Sequence, residues 1–305
     1  MVSTGFEGQT ELPKTSEWRD VDGETFRNEI IPRDRPAVLK GLVAHWPVVR
    51  AAVQSSQALY DYIRARDLNH PTETFIAAPH MTLYSGPLSM FGAKAHIAAL
   101  EKGFLINLVM VPFSNDLGYE PKHPEVLRIN PKRQVPVLIH GDIEIFDSTQ
   151  IFEYFEHLQP RPPLWPNSVA ARAQARLWEL KSDEVCFPHA IRLMSLQKHL
   201  SQSPAQDAIA HLWRYYQDLE ALLADRAFFG GEYSYADIAF FMAQSFAERL
   251  GAPMDDTSAR LCAWRDRIAA RPAVRPTLVH MIQTLTGLKR QIPRFMSDAV
   301  ADGAS

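Results

Sequence analysis

The sequence predicts an α/β domain followed by an all-α domain, preceded by a mixed N-terminal extension. Three observations carry this. From Met81 a strand, a helix and a second strand follow within about 30 residues, the spacing of a parallel, right-handed βαβ unit. Residues 127 to 155, LRINPKRQVPVLIHGDIEIFDSTQIFEYF, then read as strand, Gly-Asp turn, strand and amphipathic helix. Beyond the proline-rich QPRPPLWP, apolar residues recur at helical spacing to about residue 290, with no convincing strand.

Taken in order, residues 1 to about 14 read as a frayed tail, and Thr15 to about Pro79 as a compact mixed piece. In it ETFRNEI has helical character, PAVLKGLV suits a short strand, and SSQALYDYIRARD follows a serine cap into a helix. NHPTET reads as a linker. MTLYSG is a strand, and MFGAKAHIAALEKG a helix with Met90, Ala93, Ile97 and Leu100 on one face and Gly103 as its stop. FLINLVMV does not alternate, as expected of a parallel strand covered on both faces. After the strands at 136 to 140 and 143 to 146, Ile151, Phe152, Tyr154, Phe155 and Leu158 share a helix face. In the helical half, SYADIAFF opens at a capping-box-like pair, Ser234 and Asp237. The expected divisions are 1–79, 80–160, 166–290 and a tail at 291–305.

Composition narrows the function. A net charge of −3 gives no footprint for nucleic acid or an anionic membrane. No apolar run approaches the ~20 residues that span a bilayer, and MVSTGFEGQTELPK lacks the segments of a signal peptide. The two cysteines, Cys186 and Cys262, fit a reducing cytoplasm rather than a disulfide framework or a cysteine-rich zinc site.

LYSGPLSMFGAKAHIAALEKG, INPKRQVPVL, FDSTQIFEYFE and YSYADIAFF, in this order and spacing, resemble the cytosolic glutathione S-transferases over residues 81 to 290. The resemblance implies a thioredoxin-like βαβ-ββα domain, a helical second domain, a homodimer, and glutathione as co-substrate with no metal. It implies a cis bond at Val135-Pro136, so that the Val135 backbone can bind the cysteinyl backbone of glutathione as an added strand. Gln134 would hydrogen-bond the same backbone. Ser148 heads a helix, where amides and dipole suit the γ-glutamyl carboxylate, and Asp147 offers charge to the γ-glutamyl ammonium. Ser89 stands where serine-type members carry the hydroxyl that activates the thiol, with Ala93 where they often carry arginine; Tyr84 is the alternative, near the tyrosine-type position. Lys122 and His123 are candidates for the glycine carboxylate, and Trp178, Cys186 and Phe187 for the walls of the electrophile site.

The implied activity is transfer of an alkyl or aryl group of a small hydrophobic electrophile to glutathione, of the EC 2.5.1.18 type. Aromatic ether cleavage, dehalogenation or a non-catalytic binding module are alternatives. Residues 17 to 79, with RPAVLKGLVAHWPVVRA, resemble the opening segment of cupin-like, Jumonji-C-type oxygenases. The barrel that would hold iron there is missing, and His140-Gly141-Asp142 reads as a tight turn rather than a metal motif.

Overall fold

The computed structural model describes residues 16–33, 37–65 and 81–301. The chain divides into two units, residues 1–76 and 77–305. The expected tail at 1–14 and the linker at 69–74 lie outside the described residues.

In the first unit β1 (Ser16–Arg19) and β2 (Ala37–Lys40) pair in parallel, Ser16 opposite Ala37. Between them Asp22 caps the short helix α1 (Gly23–Thr25) by accepting from the Thr25 amide at 2.7 Å, and π-helical Phe26–Ile30 continues it. Helix α2 (Pro47–Gln54) starts on proline, whose missing N–H is no loss in a first turn. Ser55 ends α2 and caps α3 (Ser56–Arg64), its hydroxyl accepting from the Ala58 amide at 3.0 Å. The sequence reading lacked β1 and α2. Among the described residues of this unit Val21 and Ile30 are the buried hydrophobics, whereas Phe26, Val38, Leu42 and Trp46 stay exposed.

The second unit opens on a four-stranded sheet of order β4-β3-β5-β6. Strand β3 (Met81–Ser85) runs parallel to β4 (Ile106–Met110) and antiparallel to β5 (Val137–His140), which pairs antiparallel with β6 (Ile143–Phe146). Alternation along β3 buries Met81, Leu83 and Ser85 on one face, and turns Thr82 and Tyr84 to the other. The expectation that β4 is covered on both faces fails. It is an edge strand with Asn107 exposed, because the sheet grows from β3 toward β5 instead. Helix α4 (Met90–Glu101) makes the crossover and is buried from Gly92 through Ala99. Its small residues allow close approach: a Cβ on Gly92 would lie 2.1 Å from Ser85 Oγ. A short helix absent from the sequence reading, α5 (Pro124–Ile129), covers the opposite face around Val111, Val126 and Val137. Helix α6 (Ser148–Leu158) packs beside α4, burying Ile151, Phe152 and Phe155.

Helix α7 (Val169–Lys181) passes through a π-helical turn, Ser182–Cys186, into α8 (Phe187–Ser195), and α9 (Ser203–Leu223) returns against α8. At the centre α10 (Tyr235–Arg249) is buried continuously from Tyr235 to Ala247, mostly apolar as an enclosed helix is, with Asp237, Gln244 and Ser245 as its buried polar residues. The Ser234–Asp237 capping box forms as expected. The Asp237 carboxylate also accepts from Phe229 N at 3.2 Å and from Trp264 Nε1 at 2.9 Å, so a buried charge is fully hydrogen-bonded. Helices α11 (Ala259–Ala269) and α12 (Arg275–Gly287) complete the bundle. Residues 291–305 are not simply a tail: α13 (Arg294–Ala301) buries Phe295 and Met296 in the main core.

Candidate active site

The loop from Gly86 to Ser89 joins β3 to α4, and Ser89 is the N-cap of α4 (φ −78°, ψ 119°). Its Oγ accepts from the Gly92 amide at 3.1 Å. A hydroxyl whose oxygen is engaged in this way keeps its hydrogen to donate. Ser89 also stands in the wall of a cavity of about 410 Å³. The polar part of that wall comprises Ser89, Tyr119, Lys122, His123, Arg133 and Gln134, and the apolar part includes Phe91, Phe187, Ile191, Met194 and Phe246. Tyr119 was missed in the sequence. Its hydroxyl accepts the Leu88 amide at 3.2 Å, fixing the loop that carries Ser89, and a Cβ on Gly86 would lie 2.4 Å from its ring. Burial pushes the Tyr119 phenol up to about 12, so it stays neutral and able to hold this loop.

Val135 lines the cavity beside Gln134, outside the β5 ladder, and the Val135–Pro136 peptide is cis. Buried Asn130 shapes this loop: Nδ2 donates to the Gln134 carbonyl at 2.6 Å, and Oδ1 accepts from the Lys132 amide at 2.9 Å. Pro136 itself is buried. Lys122 reaches Glu120 at 3.0 Å, and His123 caps α5 through Nδ1, accepting the Glu125 amide at 3.2 Å. Tyr84 is not in the cavity wall. It packs with the Val111, Val126 and Val137 cluster, its ring 4.7 Å from that of His123.

Asp147 and Ser148 lie at the head of α6 rather than in the cavity wall. Asp147, at φ +77°, is the N-cap and accepts from Thr149 N at 3.0 Å and Gln150 N at 3.3 Å. Ser148 is 2% exposed; its carbonyl accepts the Tyr235 hydroxyl at 3.0 Å, and its Oγ has no hydrogen-bond partner.

Behind these residues is a charge cluster that the sequence reading did not find. Lys94 Nζ, fully buried on α4, meets Glu179 Oε1 at 2.9 Å and Asp183 Oδ2 at 2.6 Å. Thr149 Oγ1 donates to the same Glu179 oxygen at 2.7 Å, tying the first turn of α6 to α7. Burial pushes the Asp183 carboxyl up to about 6, with Lys94 pulling against it. Lys94, a lone cation inside the apolar MFGAKAHIAAL, was the available signal.

The comparisons with known proteins bear on this unit. Residues 83–163 match the glutathione S-transferase N-terminal domain, and 186–272 the glutathione S-transferase C-terminal domain. Glutathione S-transferase U25 of Arabidopsis thaliana is 30% identical over 197 residues, 62% of this chain and 85% of the relative. The chain belongs to the glutathione S-transferase family of enzymes. A probable glutathione S-transferase, GSTU1 of Oryza sativa subsp. japonica, is 34% identical over 59% of this chain and 81% of its own length. A glutathione S-transferase structure from Rhodospirillum rubrum F11 shares the fold, with a TM-score of 0.61 at 24% identity over 72% of this chain and 99% of that one. The fold is thus the family's thioredoxin-like domain with its helical partner. These matches lend no support to the oxygenase-like resemblance of residues 17 to 79.

Of the residues considered for the transferase's electrophile site, Phe187 lines the cavity. Cys186 is instead core, its thiol pushed up by burial, and Trp178 packs toward Phe229 at 6.3 Å. His140-Gly141-Asp142 forms the turn from β5 to β6, with His140 Nδ1 2.7 Å from the Tyr154 hydroxyl.

Proposed function

We propose that this transferase binds glutathione along Gln134, Val135 and Pro136, with the γ-glutamyl end at Asp147 and Ser148, and adds its thiolate to a small hydrophobic electrophile. The observation that carries this reading is the position of Ser89, at once a cavity wall and the N-cap of α4. A thiol like that of cysteine has a pKa of about 8.5, and lowering it by about two units takes roughly 2.7 kcal/mol of preferential thiolate binding. The Ser89 hydroxyl, polarised by the Gly92 amide, supplies a hydrogen bond to the anion, and the positive end of α4 adds to it. Tyr84, packed outside the cavity wall, is not assigned this role. The partnerless Ser148 Oγ is the donor offered to the γ-glutamyl carboxylate. The Asp147 carboxylate, though it caps α6, has acceptor capacity left for the ammonium. A cytoplasmic homodimer is part of this proposal.

Two variants test it. Ser148→Ala is expected to weaken glutathione binding by about 1 to 3 kcal/mol, the scale of a hydrogen bond to a charged group. Calorimetry on the folded variant reads this, and unchanged affinity removes Ser148 from the site. Ser89→Ala is expected to raise the pKa of bound glutathione, seen as lost thiolate absorbance and lost conjugation at neutral pH, while Tyr84→Phe keeps both. The reverse pattern would transfer the role to Tyr84.

A further inference from the structure

Tyr119 brings to the cavity wall a hydroxyl that holds the Ser89 loop through its oxygen only. Oη accepts the Leu88 amide at 3.2 Å, and among the described residues nothing accepts its proton. The oxygen is closely placed: a Cβ on Gly86 would lie 2.7 Å from it, and the Phe113 ring packs 4.7 Å from the Tyr119 ring, centre to centre. It stands against residues 86 to 88, with Ser89 next in the chain, and Leu88, Ser89 and Tyr119 all line the same cavity.

The remaining polar walls fall in two adjoining pairs. Lys122 and His123 precede α5, with Lys122 held by Glu120 at 3.0 Å, and Arg133 and Gln134 lead into Val135. The backbone of Arg133 fixes it in that segment, with φ at +56° and its amide donating to the Asn130 carbonyl at 2.8 Å. Tyr119 lies between the two ends of the cavity. Its ring packs on the Val111, Val126 and Val137 cluster that Val135 also covers. On the other side Arg249, with Cζ 5.0 Å over the Phe246 ring, is near enough for its charge to act on the phenol. The surface there is aromatic, Phe187 packing 5.1 Å from Phe246 and 5.0 Å from Phe91. The hydroxyl is thus at the junction, beside Ser89, where a sulfur held by Ser89 meets a second substrate.

A phenol in this setting suits an anion that forms during reaction. Burial raises its pKa to about 12, so it keeps its proton, while the Leu88 amide and the Arg249 charge act the other way and polarise the O–H bond. With its oxygen engaged, it has one hydrogen left to donate. Fixed donors aimed at developing charge are worth most in apolar surroundings.

We propose that Tyr119 is a second catalytic hydroxyl, donating a hydrogen bond to the carbonyl oxygen of an α,β-unsaturated carbonyl substrate, so that the site favours such acceptors over electrophiles that only expel a halide. This role rests on the glutathione reading in placing the sulfur at Ser89. The thiol proton goes to solvent and the sulfur bonds to the β-carbon. The π electrons then shift to give an enolate, whose oxygen takes the Tyr119 hydrogen bond, and the α-carbon takes a proton from water.

The test compares kcat/KM of the full chain, at saturating glutathione, for benzylideneacetone and for benzyl chloride. Both carry a phenyl ring, and the ketone alone gathers charge on an oxygen. Tyr119→Phe is expected to lower both, since the Leu88 amide loses its acceptor, but the ketone about 10- to 100-fold further, the scale of one hydrogen bond to a charged oxygen. Ser89→Ala should lower both by the same factor, because it acts on the sulfur they share. With S-methylglutathione in place of glutathione, the carbonyl stretch of bound benzylideneacetone should lie at lower frequency than in hexane, and Tyr119→Phe should reverse the shift. Equal losses for the two electrophiles in Tyr119→Phe would make Tyr119 a positioning residue only and overturn the proposal. An unshifted carbonyl in wild type, a shift that persists in Tyr119→Phe, or the ketone-specific loss in Arg133→Met instead would do the same. The wild-type spectrum decides even if the phenylalanine variant does not fold. Benzyl chloride conjugated without a ketone-specific loss defeats this proposal and leaves the glutathione reading standing; no binding of glutathione by calorimetry defeats that reading as well.

Discussion

Lys94→Met is expected to destabilise the protein by about 3 to 5 kcal/mol, the cost of leaving buried charge without its partner. Lys94 is fully buried, and it is the cation that both Glu179 and Asp183 contact. Methionine keeps the unbranched stem and is one atom shorter than lysine, whose Nζ lies 5.5 and 5.2 Å from the ring centroids of Phe91 and Tyr235. What it removes is the charge. Urea unfolding at pH 7.5 reads the loss as a lower midpoint at unchanged slope. Adding Glu179→Gln and Asp183→Asn to Lys94→Met should recover a large part of it, because neutral amides lack the desolvation cost of carboxylates. A loss below about 1 kcal/mol in Lys94→Met would mean that the cluster is solvated in solution.

The second large effect is on acid stability and arises at the far side of α4. His96 is 5% exposed, with Nδ1 2.9 Å from Thr277 Oγ1 and its ring 6.3 Å from that of His280. Burial, helped by His280, lowers its pKa to about 4, from about 6.5 in an open chain. Above pH 6.5 neither state is protonated there, and the shift has no effect. As pH falls from 6.5 to 4 the unfolded chain takes up a proton that the folded one refuses, so the native state loses up to about 3 kcal/mol. Asp183 has the opposite sign. Its raised carboxyl takes a proton in the folded state first, so it adds stability as pH falls from about 6 toward the unfolded value. The wild-type profile is therefore flatter than either group alone would make it, and the diagnostic quantity is a difference. His96→Asn should be less stable than wild type at pH 7, and this gap should move by about 3 kcal/mol in the variant's favour by pH 4. Parallel unfolding curves over that range would show that His96 protonates freely in the fold.

What was legible in the sequence was local. The Gly141–Asp142 turn, the serine cap at Ser55 and the Ser234–Asp237 box each depend on residues within a few positions of one another. Period and chain length sufficed for β3, α4, β5, β6 and α6. The buried reading of β4 failed because an edge and a central strand differ in neighbours, not in their own residues. At the site, Ser89 and the Gln134–Pro136 segment were placed by motif, and Ser89, Gln134 and Val135 meet at one cavity. The Lys94 cluster was out of reach, since its partners lie 85 and 89 residues downstream. So was Tyr119, whose meaning depends on the Leu88 amide 31 residues before it.

The burial of α4 bears on how such a chain can be cut and rejoined. Residues 164 to 185 lie between the two matched domains and carry α7, and there Glu179 and Asp183 meet Lys94 of the first domain inside the protein, with Thr149 bonded to Glu179. A hybrid taking its helical half from a distant relative would inherit one half of this charge arrangement and strand the other. The piece that recombination can exchange intact is therefore the whole span from residue 77 onward, and the boundary between the two domains is a feature of sequence similarity more than of the energy.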